Sequence, residues 1–284
     1  MLGKRLIKRE RDVNMIEQGI GSSKILCFRN LYGYKEIKHF VSTRSGGVSK
    51  PPFDSMNLGL HVGDEREDVI NNRKILASYL NIDFKSMTIA EQTHSGNVAV
   101  ISEEQRGKGH TCHENSVSNS DAMVTDVKNI CVAILVADCV PIIFFDPQRR
   151  VIGVAHAGWR GTVRSVAANT VNTMVKRFGS LPEDITVGIG PSIGPCCYKV
   201  GPEVLSQVRA IFKTAPDFIK NESRDGTGYL DLWSLNSMQL LNEGVLEKNI
   251  DIARICTAHN QQDFFSYRAN MGETGRFGAG IELC

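Results

Sequence analysis

Ala137-Asp138-Cys139-Val140-Pro141-Ile142-Ile143-Phe144-Phe145-Asp146-Pro147, with Val154-Ala155-His156-Ala157-Gly158-Trp159-Arg160-Gly161 a little further on, is the stretch that organises the reading of this chain. The apolar runs 140–145 and 151–155 flank Asp146-Pro147-Gln148-Arg149. Those residues suit a tight turn, because proline supplies the fixed φ of a turn's second position. A hairpin folded about the midpoint between Pro147 and Gln148 sets Cys139 opposite His156. Directly opposed Cβ atoms are about 4.5–5.5 Å apart, close enough to share a metal ion or pass a proton. Taken singly, each residue reads as core: free cysteine behaves as a small hydrophobe, and a strand histidine is often buried and hydrogen-bonded. Their pairing is what points to chemistry. Ala157-Gly158-Trp159-Arg160-Gly161-Thr162 then leads into a helix expected over 162–178, and Arg160 beside that helix start makes an anion site.

The 284 residues are enough to bury a large core, and no repeat or low-complexity linker divides them. We expect one domain over residues 1–284, with 1–35 a partly peripheral N-terminal extension. Lys and Arg number 33 against 31 Asp and Glu, a net charge of +2, and the basic residues cluster only at Lys4-Arg5 and Lys8-Arg9-Glu10-Arg11. Nucleic acid is therefore not an expected partner. No segment approaches the roughly 18–20 apolar residues of a membrane span, and no signal-like apolar region follows the basic start, so a cytoplasmic protein without membrane contact is expected. The 8 cysteines show no CxxC pair, and Cys196-Cys197 are adjacent, an awkward geometry for a mutual disulfide. The thiols are expected to be reduced, with no four-cysteine zinc site.

Strand-like segments alternate with helix-like ones. Strands are expected at 38–43, 87–92, 98–102, 122–125, 131–137, 142–145, 151–155, 185–189, 252–256 and 277–283. Helices are expected at 64–79, 162–178, 202–212 and 232–246, the third opening on Pro202. Alternation with a hairpin inside it implies an α/β fold with mixed sheets. Residues 103–120, rich in Gly, Ser, Asn and charge, read as a surface loop carrying His110 and His113.

A further donor lies in Gln92-Thr93-His94-Ser95-Gly96-Asn97, a turn whose flanking strands would fix it, whereas His39, His61 and His259 lack an obvious Cys or His neighbour. His94, Cys139 and His156 supply N, S and N donors suited to zinc (Zn2+). Three protein ligands leave a fourth tetrahedral position open, the arrangement of a catalytic site. Copper (Cu2+) can occupy the same donors by mass action.

The chain resembles the YfiH/YlmD family of laccase-domain proteins. The match runs through Phe40-Val-Ser-Thr-Arg-Ser-Gly-Gly-Val48, Met56-Asn57-Leu58-Gly59, Asn72-Arg73, Gln92-Thr93-His94, Ala137-Asp-Cys-Val-Pro141 and His156-Ala-Gly-Trp-Arg-Gly161. It continues through Ile189-Gly-Pro-Ser-Ile-Gly194, Cys197-Tyr198, Asp231-Leu232, Cys256-Thr257, Phe264-Phe-Ser-Tyr-Arg268 and Thr274-Gly-Arg276. The resemblance implies an α/β/β/α layered fold and the metal ligands His94, Cys139 and His156. It also implies purine nucleosides and phosphate as substrates: phosphorolysis of adenosine, inosine, guanosine and methylthioadenosine, with adenosine deamination as a second activity. Ser95 stands where the family often has Gly, and Ala269-Asn270 follow the Ser-Tyr-Arg motif where an Arg-Asp-like pair is usual.

Phosphorolysis of an N-glycoside needs a bound phosphate and stabilisation of the departing base. Arg44, in a Gly-rich loop, and Arg160 can supply bidentate oxyanion recognition, and Asn57 joins them as a substrate-binding candidate. Deamination needs an activated water, which an open zinc site provides. Asp138 can shuttle a proton or orient a neighbour, although one strand step from Cys139 it should face the other way unless a bulge intervenes. The competing readings are a metal-independent Cys/His hydrolase with Cys139 as nucleophile and a non-enzymatic metal staple. A copper polyphenol oxidase fits poorly, since only 7 His exist and several fall in loops. Oligomeric state is left open by the sequence.

Overall fold

In the computed structural model, which describes residues 15–20, 23–213 and 215–284, the quoted stretch folds as the antiparallel hairpin Val140–Asp146 and Val151–Ala157. Every residue of both strands is buried. The reason is that both faces of this hairpin are covered. Ile142 and Phe144 pack among helix residues such as Val171, Met174 and Leu235, whereas Ile143 and Phe145 face Ile134, Val136, Ala279 and Ile281 of a second sheet. The odd residues of Cys131–Val136 turn instead to a third core with Leu76 and Ala77 of helix Arg66–Leu80. Three apolar cores separate four layers, α/β/β/α, the architecture implied by the family resemblance.

One sheet has the order Met15–Ile20, Ser23–Phe28, Ile37–Ser42, Phe277–Leu283, Cys131–Val136, Met87–Ile89. The other runs Ile250–Ile252, Thr186–Ile189, Val140–Asp146, Val151–Ala157, Ala122–Thr125, Val98–Val100. Both mix parallel and antiparallel pairs. The chain passes from one sheet to the other through residues 137–139, so Cys139 lies at the crossover between layers.

Several elements depart from the sequence reading. The first two strands escape it, because Met15–Ile20 and Ser23–Phe28 carry charge and Gly that mask their alternation; they extend the sheet edge in a hairpin of their own. The basic residues 4–11 lie outside the described residues. The expected helix 162–178 is two, Trp159–Val163 and Val166–Phe178, parted at Ser165, whose left-handed φ of 58° breaks the helical path. The strand expected at 252–256 is Ile250–Ile252 instead, with residues 253–256 continuing as a loop. A small sheet of Lys199–Val200, Gly228–Leu230 and Ile219–Lys220 also lies outside the expected pattern, its strands being too short for periodicity to register. Residues 103–120 are not a free loop: buried Arg73 donates to the carbonyls of Gly109 and His110. No helix among the described residues is long and apolar enough to cross a membrane.

Candidate active site

The hairpin register differs from the sequence expectation. Pro141, not Cys139, lies opposite His156, and Asp146 pairs with Val151. The Asp146 carboxylate accepts the amides of Gln148 and Arg149 at 2.8 and 3.1 Å, and Arg150 takes a left-handed φ of 56°, so the turn holds residues 147–150. This moves the hairpin axis by one residue and each partner by two. A shift of two keeps every side chain on its face. Cys139 therefore still faces the His156 side, as a diagonal neighbour, and beside it Gly158 leaves room for the sulfur: a Cβ there would come 2.8 Å from Cys139 Sγ and 3.3 Å from His94 Cδ2.

His94 reaches the same point from a turn held by a buried carboxylate. Asp121, fully buried, accepts the His94 amide (3.0 Å), the Ser95 amide (2.6 Å) and the Ser95 hydroxyl (2.7 Å). The hydroxyl of Ser95, the departure from the family pattern, is thus spent on Asp121. Arg164 donates to the His94 carbonyl at 2.6 Å, and Asn169 to the Gly96 carbonyl at 2.9 Å. Gly96 must be Gly for that docking, since a Cβ would meet the Arg164 carbonyl oxygen at 2.5 Å. The ligand atoms of His94, Cys139 and His156 all lie within 4.8 Å of one another.

Asp121 also stands 2.8 Å from His156 Nδ1, which fixes the imidazole so that Nδ1 donates and Nε2 is left for Cys139. Burial pushes the Asp121 carboxyl up, but the hydrogen bond and charge of His156 and the Ser95 donors outweigh it and hold the group at about 2. Burial likewise opposes a thiolate at Cys139, yet the charge and hydrogen bond of His156, with His94 behind them, pull its pKa down. For His156 burial works against the cation, and the sulfur of Cys139 together with Asp121 raises it. Sequence reasoning does not find Asp121. Its signal is weak, one acid in Ser118-Asn119-Ser120-Asp121 at a strand start.

The trio opens into a cavity of about 720 Å³, within the size range of small-ligand sites. Three arginines on its wall each lie over an aromatic ring: Arg160 over Trp159 at 4.4 Å, Arg268 over Tyr198 at 5.4 Å and Arg276 over Tyr267 at 5.7 Å. His61 and His113, which the sequence pattern does not single out as ligands, line the cavity with ring centroids 5.0 Å apart. Burial, then the positive charge of Arg276 and His113, lowers His61 to about 4, so it is a neutral hydrogen-bonding group at physiological pH.

Of the substrate candidates, the structure brings only Arg160 to this cavity. Arg44 lines a separate shallow depression, donating to the carbonyls of Asp54 and Gln261 and pairing with the Asp54 carboxylate at 3.1 Å. Asn57 is fully buried, its amide bonding Gly59, Asp64 and Arg276. Asp138 lines the cavity, but its carboxylate accepts Thr257 Oγ1 and the Arg268 amide, both at 2.6 Å. With φ of 85° it turns the chain just before the strand rather than bulging within it. That makes it a tie between loops rather than a free proton carrier. His259 also has neighbours that sequence does not show: its ring nitrogens lie 3.6 Å from Cys196 Sγ and 3.2 Å from Cys197 Sγ.

The family model described as multi-copper polyphenol oxidoreductase laccase matches residues 38–284. The chain is 39% identical over 242 residues to purine nucleoside phosphorylase YlmD of Bacillus subtilis (strain 168), covering 85% of this chain and 87% of that protein. It is 33% identical over 245 residues to adenosine deaminase RL5 of an unknown prokaryotic organism, covering 86% and 93%. Among solved structures, YlmD from Geobacillus stearothermophilus matches with a TM-score of 0.89 at 37% identity, over 95% of this chain and 99% of that one.

Proposed function

The chain belongs to the multi-copper polyphenol oxidoreductase laccase family, and from that premise we propose that it is a zinc-dependent purine nucleoside enzyme. It would convert adenosine, inosine, guanosine or methylthioadenosine and phosphate to the free base and the (methylthio)ribose 1-phosphate. It would also convert adenosine and water to inosine and ammonia. The observation that carries this reading is the convergence of His94, Cys139 and His156 at the floor of a cavity walled by arginine–aromatic pairs. Names of relatives as purine nucleoside phosphorylase and adenosine deaminase support it.

The donor set fits zinc: one sulfur and two imidazole nitrogens are borderline-soft, His156 is oriented by a carboxylate behind it, and the cavity side is open to substrate. When bound, such an ion supplies Lewis acidity at its fourth position. The protein's own residues do the rest. Trp159, Tyr198 and Tyr267 line the cavity and give it aromatic surface against which a purine can pack. Arg160 lies over Trp159 and is exposed to the cavity, so its guanidinium is available for a phosphate. His61, neutral, can hydrogen-bond the sugar or base without adding charge. Neither His/Cys group among the described residues has the many histidines of a multicopper oxidase site, which favours the nucleoside reading over polyphenol oxidation. A cytoplasmic location is part of the proposal.

A second reading draws on one specific feature. Asp121, His156 and Cys139 are connected in the order of a Cys-His-Asp triad, which is how a thiol hydrolase is built. His94 argues against it, because a second imidazole converging on the sulfur has no place in a triad and a clear one in a metal shell. The test uses zinc-loaded, copper-free protein and adenosine with and without phosphate. Adenine and ribose 1-phosphate only with phosphate, and inosine without it, are expected. Chelation should stop both reactions and expose Cys139 to iodoacetamide. Full turnover by zinc-free protein, with a covalent substrate adduct on Cys139, would establish the hydrolase instead.

A further inference from the structure

We propose that Cys196, Cys197, Cys256 and His259 form a second metal centre, a closed Cys3His shell for a zinc-class cation that fastens together two loops of the cavity wall. The four ligand atoms lie within 4.8 Å of one another. Tetrahedral zinc with ordinary Zn–S and Zn–N bonds sets its donors about 3.5–3.8 Å apart. His259 Nδ1 stands 3.6 Å from Cys196 Sγ, close to that spacing, and Nε2 on the far side of the ring stands 3.2 Å from Cys197 Sγ, so whichever nitrogen ligates already has one sulfur at donor distance. All the cysteines are free thiols, so no disulfide competes for these sulfurs.

The local backbone is shaped to gather them. Thr186–Ile189 and Ile250–Ile252 are parallel neighbours, and the loops that leave their C-terminal ends stay joined where Ser192 donates to the Ile255 carbonyl and Thr257 to the Ser192 carbonyl. Each loop then makes a tight turn. The Cys197 and Tyr198 amides return to the Gly194 carbonyl at 2.9 Å, and the His259 amide to the Cys256 carbonyl at 3.2 Å, which places Cys256 and His259 in a Cys-x-x-His turn facing the cysteine pair. Gly194 admits no side chain, since a Cβ would come 2.6 Å from Trp233. Its amide donates to Cys256 Sγ at 3.3 Å, the outer-shell bond a metal thiolate ordinarily receives.

Four protein donors leave no position for substrate, and none of the four residues lines the cavity. The centre is therefore structural. What it would hold is close by: Tyr198, next to Cys197, is in the cavity wall, Thr257, next to Cys256, bonds Asp138, and Arg268 donates to the Cys197 carbonyl at 3.3 Å. This assignment stands whether or not the cavity turns over nucleosides.

Metal analysis of reduced, full-length protein supplied with zinc tests it. Wild type should hold two equivalents, His156→Ala one and Cys256→Ser one. His259→Ala, at an exposed position and so expected to fold, should lose affinity for one equivalent by at least about 100-fold, the upper end of what outer-shell changes cost. In His156→Ala loaded with Co2+, sulfur-to-cobalt charge-transfer absorption should report three thiolates. Folded His156→Ala protein that binds no zinc, or a native disulfide among Cys196, Cys197 and Cys256 found by peptide mapping in place of the metal, would overturn the proposal.

Discussion

The two His/Cys clusters use the same residue types and are built in opposite ways. His94, Cys139 and His156 are held by a strand, a crossover between sheets and a turn, with a buried carboxylate bonding one imidazole and the backbone beneath the other. Cys196, Cys197, Cys256 and His259 sit on two loops, with a backbone amide as their outer partner. The first has three donors beside a cavity, and the second four donors away from it. If both clusters hold metal as proposed, donor count and access, rather than donor identity, set a cluster placed for chemistry apart from one placed for stability. Cys27 and His39 complete the contrast. They are buried in the core, burial pushes the thiol to about 12 and the imidazole to about 4, and both stay neutral.

The largest effect is expected from His156→Ala. Losing a ligand and the Lewis acid with it forfeits several kcal/mol of transition-state stabilisation, more than about 10³-fold in kcat/KM. Retention of a full equivalent of tightly bound zinc at the cavity, located by crystallographic anomalous scattering, would break the distinction between the two clusters.

Asp121→Asn should weaken cavity zinc by about 10–100-fold without touching the Cys3His cluster. Competition with a chelator of known affinity reads both equivalents separately. Equal weakening of both would mean that Asp121 supports the fold at large. Arg160→Ala should raise the KM for phosphate by roughly tenfold or more, as expected for losing a charge-assisted hydrogen bond of about 1.5–3 kcal/mol. Deamination needs no phosphate and should change little; parallel loss of both reactions would contradict a role confined to the anion.

The smallest effect on metal and turnover belongs to His39→Gln, which should alter neither. His39 Nε2 accepts the Phe28 amide at 2.9 Å, a role open to an unprotonated nitrogen and to the Gln oxygen. Its folded pKa lies below the unfolded value, so the unfolded chain binds the extra proton. The associated stability, about 3 kcal/mol, is complete above pH 6.5 and lost as pH falls towards 4. Urea midpoints across that window should fall less steeply for His39→Gln than for wild type. An unchanged slope would show that His39 is not the group responsible.

Much of the cavity trio is legible in the amino-acid sequence. Alternation over 140–155 announces a hairpin, and its parity puts Cys139 and His156 on one side even though the expected axis is misplaced by a residue. Asp146 explains the misplacement: its carboxylate rounds the turn through two amides, a choice that a sequence permits without announcing. Arg44 looks like a ligand for a substrate because an Arg in a Gly-rich loop suits an oxyanion, and Asn57 stands beside it as a substrate-binding candidate. In the folded chain their polar groups are consumed by Asp54, Gln261, Gly59 and Arg276.

Legible in the letters alone are the elements whose pattern is local: most of the buried strands, the helix starting at Pro202, and a thiol on the same side of a hairpin as an imidazole. Side-chain periodicity follows from backbone geometry within a few residues, so it survives in a string of letters. That Asp121 stands behind His156 and that His61 meets His113 emerges in the folded chain alone. Folding likewise joins Cys196 and Cys197 to a cysteine and a histidine some sixty residues later. Those meetings depend on which strands become neighbours and how two sheets stack, and burial of apolar surface sets that arrangement without leaving a mark at the residues it brings together.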